Sequence, residues 1–151
     1  MTNQRTLIRI AGAAVAAFGA VVGLTGQAQA VSYELSWFRT ANSSQGALAE
    51  GALLYPSSGC GYTKIKDPDN PYMNSVSDTD ADGNGAIAYI GYIPCNSTTG
   101  HIVEKKLASV AGEGNSAELP TTTYYNVRWA AVRVCEYRGT NQHIDCGGWA
   151  N

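Results

Sequence analysis

The sequence predicts an all-β fold, a small antiparallel β-sandwich held by two disulfides. Three observations carry that prediction. Short stretches rich in Val, Ile, Tyr and Trp are separated by Gly-, Pro-, Asn- and Asp-bearing turn signals. No segment sustains the 3.6-residue apolar repeat of a long helix. Four cysteines, Cys60, Cys95, Cys135 and Cys146, are spaced as a disulfide framework.

The elements follow in chain order. Tyr33-Glu34-Leu35-Ser36-Trp37 alternates apolar with polar residues, the pattern of a half-buried strand. Residues 40–46 are a loop. Residues 47–54 read as a short helix or as a strand interrupted at Gly51, and the balance favours strand; Pro56-Ser57-Ser58-Gly59 ends it. Pro68 and Pro71 remove donors and restrict their neighbours, so residues 66–71 are irregular. Residues 86–93 carry apolar side chains on both faces, which suits a strand inside a packed sandwich, and Pro94 stops it.

Residues 102–110 stay ambiguous. Val103, Leu107 and Val110 fit a helix, whereas Glu104-Lys105-Lys106 fits the wet side of an edge strand. Residues 112–120 form a loop. In the last long strand Tyr125, Val127 and Trp129 share one parity, and Val132 and Val134 the other. A bulge near Ala130-Ala131 would turn all five inward.

Four cysteines allow three pairings. A turn through Gly139-Thr140-Asn141-Gln142 sets Cys135 opposite Cys146, Glu136 opposite Asp145, Tyr137 opposite Ile144 and Arg138 opposite His143. That register favours Cys135–Cys146 and leaves Cys60–Cys95. Metal binding is disfavoured because no CxxC or Cys/His spacing appears.

Residues 1–30 read as a signal peptide. Arg5 and Arg9 form its basic end, residues 10–24 its apolar stretch, and Ala28-Gln29-Ala30 its cleavage site. The apolar stretch is shorter than the ~20 residues that cross a bilayer core. Residues 31–151 are then a single secreted domain with no membrane contact, and its location favours disulfides. It keeps eight Lys and Arg against twelve Asp and Glu, a net charge of −4. That balance argues against a nucleic-acid partner, whose phosphates call for clustered cations.

Asp78-Thr79-Asp80-Ala81-Asp82-Gly83-Asn84 is the sharpest motif. It matches the opening of an EF-hand loop, but the twelfth position is Tyr89 where a bidentate Glu is needed. Two readings remain. Asp78, Asp80 and Asp82 hold calcium in a looser loop, or Asp82-Gly83 and Asn84-Gly85 form a hairpin tip, which is favoured. No other cofactor is implied. The string also resembles hairpin tips of transthyretin-like sandwich domains in secreted bacterial proteins. That resemblance implies an immunoglobulin/transthyretin-like layout.

No catalytic residue is assigned. His101 and His143 lack an evident nucleophile, and no Gly-x-Ser-x-Gly occurs. The nine Tyr and three Trp point instead to contacts with other proteins. Tyr33 and Trp37 lie on a strand able to pair with a partner's edge. Trp149 follows Gly147-Gly148 and either reaches a partner or folds back on the disulfide.

In leader, size and β content the chain resembles small exported proteins of filamentous actinobacteria. Among these it is similar in layout to the adaptor subunit of umbrella-shaped toxin particles. The resemblance implies a non-enzymatic adaptor or structural subunit joining larger secreted chains in a toxin complex. The rival reading is a secreted protease or hydrolase inhibitor presenting residues 139–142 or 56–63 as a braced loop.

Overall fold

The structure, a computed structural model, describes residues 30–66, 74–139 and 142–151. The expected leader through residue 29, the expected irregular stretch at 67–71 and residues 140 and 141 of the expected turn lie outside the described residues. Within them the chain is all-β and antiparallel. Its strands are β1 (Ser32–Ala41), β2 (Ala47–Ser58), β3 (Gly61–Ile65), β4 (Ser75–Asp78), β5 (Gly85–Pro94), β6 (Val103–Ala111), β7 (Ser116–Glu118), β8 (Thr123–Arg138) and β9 (Gln142–Cys146).

Two long strands, β2 and β8, organise everything else because each is longer than its neighbours on one side. One edge of β2 pairs with β1 throughout. Its other edge is shared: residues 47–50 take β4, while Leu53 and Leu54 take β3. β8 pairs with β5 on one edge, and its other edge is divided between β3 and β9. The result is one branched sheet in the order β6-β5-β8-β3-β2-β4-β7, with β1 added to β2 and β9 to β8.

The sheet curls because alternate side chains of both long strands must leave water. Phe38, Ala49, Leu53, Val76, Ile90, Val127, Val132 and Val134 form a single core cluster. Burying such an aliphatic side chain contributes about 2 kcal/mol, so this set is the main stabilising term. The ambiguous segments are both strands. Residues 47–54 belong to β2, which runs past Pro56 to Ser58, beyond the stop expected there. Residues 103–110 belong to edge strand β6, with Lys105 and Lys106 exposed and Leu107 buried.

Four expectations are corrected. The parity change in β8 lies at Arg128, which is skipped between Val127 and Trp129, and not at Ala130-Ala131. Asn126, at φ 61°, turns the chain into that bulge, a conformation that Asn tolerates better than most side chains. Tyr125 and Trp129 therefore stay outside the core. Residues 79–84 are no hairpin tip: β4 pairs with β2 and β7, β5 with β6 and β8, so this loop crosses between two parts of the sheet. Finally, 112–120 contains the short strand β7.

Both disulfides have the favoured pairing. Cys60–Cys95 ties the β2–β3 turn to the end of β5, with Cα atoms 5.8 Å apart. Cys135–Cys146 staples β8 to β9 at 4.0 Å. Glu136 opposes Asp145 as expected, but Ile144 bulges out. Tyr137 therefore meets His143 and Arg138 meets Gln142, one residue from the predicted register.

Candidate functional site

Alternation along β1 and β2 decides which side chains face water. Phe38 and Thr40 point inward opposite Gly51 and Ala49. Tyr33, Leu35, Trp37 and Arg39 must then point outward, beside Pro56, Leu54, Ala52 and Glu50. The register continues across β3 and β8, where Leu54 meets Lys64 and Tyr62 meets Tyr125.

The outward side of these four strands thus carries an aromatic row. Tyr33 and Tyr62 have ring centroids 4.8 Å apart, and Tyr62 and Tyr125 6.3 Å apart. Trp37 is 58% exposed and Tyr125 75%. Gly61 makes the row possible, since a Cβ there would run into the Tyr33 ring. Arg39 and Glu50 pair at 3.8 Å beside it, and as an exposed pair they add little stability. β1 has no strand neighbour besides β2 among the described residues, so its second edge adjoins this apolar face.

The C-terminal segment lies elsewhere and is engaged within the chain. Gly147 N–H donates to Val134 O, and Val132 and Ala150 exchange two hydrogen bonds, each 2.8 Å. Residues 147–150 thereby extend β9 along the β8 edge. The Trp149 indole folds over β5, against Gly91, where a Cβ would collide with it. Trp129 meets it edge-on at 6.3 Å and Arg133 stacks on it. Of the three aromatic residues expected at a partner surface, Tyr33 and Trp37 share the outward face, and Trp149 is half-buried on the opposite part of the sheet.

The acidic loop is organised around Glu136, which the sequence marks only as the residue opposite Asp145. Glu136 has the inward parity of Val132 and Val134 and is 5% exposed. Its Oε2 accepts from Asn42 Nδ2 and Ser44 Oγ, both at 2.8 Å, and its Oε1 accepts from Asn84 Nδ2. Asp82 Oδ1 accepts from the Asn84 backbone N–H at 2.9 Å. That bond, followed by hydrogen bonding with Glu136, holds the Asp82 carboxyl below its usual range. Asp80 accepts from Ala81 N–H at 2.8 Å. Asp78 is buried, its Oδ2 without a partner among the described residues and its Oδ1 3.4 Å from the Asp80 N–H.

Asp78, Asp80 and Asp82 therefore turn to different partners. Among the described residues, one group of three metal-ligating types brings its atoms within 4.8 Å of one another: Cys135, His143 and Cys146. Its two cysteines are joined as a disulfide and offer no thiolate.

The histidines sit apart. His143 Nε2 lies 2.6 Å from Tyr89 Oη, whose pKa is raised by burial and then by Glu104. His101 is exposed, with its backbone N–H on Ser97 Oγ. Neither contact presents an activated nucleophile. No family model, curated protein or solved structure matches the chain.

Proposed function

We propose that this is a secreted, non-enzymatic protein-interaction module, acting as an adaptor or structural subunit of an extracellular complex. The observation that carries the reading is the outward face of β1, β2, β3 and β8. Trp37 and Tyr125 stand largely in water there, on a rigid sheet beside an open strand edge. Tyr and Trp on a preformed surface bury large areas at small entropic cost when a partner covers them. Two disulfides suit an extracellular setting, and the leader-like residues 1–30 supply the route. The layout shared with adaptor subunits of toxin particles makes larger secreted chains the partner class.

The test is co-purification from culture supernatant. A stoichiometric larger chain that is retained by the native protein and lost on Trp37→Ala and Tyr125→Ala supports the module. Capture unaffected by both substitutions eliminates this face.

A second reading has its own observation. The exposed β2–β3 turn at Ser57-Ser58-Gly59 is braced by Cys60–Cys95, the geometry of a preorganised inhibitory loop. Inhibition of a secreted protease by the lone chain, abolished by Ser57→Pro with the outward face intact, would favour it.

A further inference from the structure

We infer that β1 pairs with β1 of a second copy of this chain, antiparallel, about a two-fold axis through Leu35. The free edge of β1 has a defined length. Thr40 Oγ1 donates to Gly148 O at 3.0 Å, and Gly147 packs against the Ala41 carbonyl, so the C-terminal segment lies against the strand's last two positions. Among the described residues, no strand pairs with the second edge of 32–39. An exposed edge beside an apolar face takes up another strand unless charge, proline or a bulge prevents it. From Tyr33 to Phe38 there is neither proline nor lysine, and the register with β2 is regular.

The side chains select the occupant. Opposed residues in an antiparallel pair point to the same face. An axis through Leu35 places Tyr33 opposite Trp37 of the second copy, Leu35 opposite Leu35, and Trp37 opposite Tyr33. The outward face thus gains two aromatic cross-strand pairs around an aliphatic one, the pair types that stabilise sheets most. On the inward face, Glu34 meets Ser36 of the second copy, whose hydroxyl can donate to it. An apolar strand from an unrelated protein would leave that carboxylate unpaired, which disfavours it.

Neighbouring registers are worse. An axis through Glu34 opposes two carboxylates, and one through Ser36 sets Glu34 against Phe38, which is buried. The chosen register pairs residues 32–38 of both copies inside the free window. It is isologous, so it closes as a dimer and does not propagate. The two aromatic rows become one surface, which leaves the face described above available to a partner.

Sedimentation of the protein secreted from its full-length gene tests this. The expected mass is twice that of a single chain, falling to one on Trp37→Lys, with the far-ultraviolet spectrum unchanged. Leu35→Cys should give a dimer that reductant splits, because the two positions oppose each other within disulfide reach. A single-chain mass for the native protein at every concentration overturns the inference whatever the variants do. Cross-linking through Ser36→Cys and not through Leu35→Cys overturns the register. A single-chain protein that still captures a secreted partner through Trp37 overturns self-pairing and leaves the adaptor reading intact.

Discussion

The Arg133 guanidinium lies 4.7 Å from the centre of the Trp149 ring, and its Nη2 donates to Glu104 at 2.7 Å. One side chain thus joins the C-terminal segment to β8 and to the edge strand β6. Glu104 holds the cation in position, and the indole covers its flat face. Gly91 below leaves room for the ring to lie against β5. The contact carries more weight than an exposed ion pair because Arg133 is largely covered and the stacked indole limits water access.

Trp149→Ala should therefore destabilise the domain by roughly 2 kcal/mol, from the lost cation–π contact and the uncovered apolar surface. Trp149→Phe should recover about half of that. Urea midpoints of the native protein and the two variants measure it. A shift below about 0.5 kcal/mol for the alanine variant, the size of an ordinary surface change, would show that the packed segment contributes nothing.

Removing the Glu136 carboxylate should cost more than removing most surface acids. Its oxygens accept from Asn42, Ser44 and Asn84, joining the β1–β2 loop, the 79–84 crossing and β8. Glu136→Ala takes an acceptor from the buried Asn42 and Asn84 amides, a loss of about 3 kcal/mol. Glu136→Gln keeps one acceptor oxygen and should cost about half as much. Chemical denaturation distinguishes the two, and equal losses would mean that packing and not hydrogen bonding is the role of Glu136.

Much of the fold was legible because strand periodicity and cysteine geometry are local signals. The alternation in Tyr33-Glu34-Leu35-Ser36-Trp37 is β1, and the opposition of Cys135 to Cys146 follows from one short turn. The errors arose where a long-range contact overrode a local one. Asp82-Gly83 and Asn84-Gly85 have hairpin chemistry, yet β4 and β5 are claimed by different neighbours, so the turn residues serve a crossing. Glu136 looked like one charged residue in a long strand. Its inward parity with Val132 and Val134 was the available signal, and the amides that satisfy it come from positions 42 and 84. The aromatic row was only half visible. Tyr33 and Trp37 share a strand, but bringing Tyr62 and Tyr125 beside them requires the order β2-β3-β8, which no local pattern encodes.

Acidification should weaken the domain in part through Asp82. Its folded-state pKa lies below the ordinary value of 3.8, chiefly because the Asn84 backbone N–H bonds to the ionised form. The unfolded chain binds the proton more readily. The contribution is thus complete above the ordinary value and disappears as pH falls through the lower folded value. Asp82→Asn should lower stability at neutral pH and flatten the acid limb of the stability profile. Thermal melts across the acid range would show it, and parallel profiles for the two proteins would remove Asp82 from the cause.

The two disulfides should differ in what they contribute. Cys60 and Cys95 are separated by 35 positions, Cys135 and Cys146 by 11. Closing the longer loop restricts the unfolded chain more, giving about 4 kcal/mol against about 3 for the shorter one on the chain-entropy account. The difference should widen in practice, because β8 and β9 also pair through their backbones and the C-terminal segment continues that pairing to Ala150. The β2–β3 turn, in contrast, has no strand pairing with β5 among the described residues, and the Cys95 N–H donates to Asn126 O of β8. Paired Cys→Ala variants, compared by denaturant midpoint under identical conditions, should rank Cys60/Cys95 as the more damaging loss. The reverse order would mean that the hairpin staple holds the β8 edge in the folded state, and that loop entropy is the smaller of the two effects.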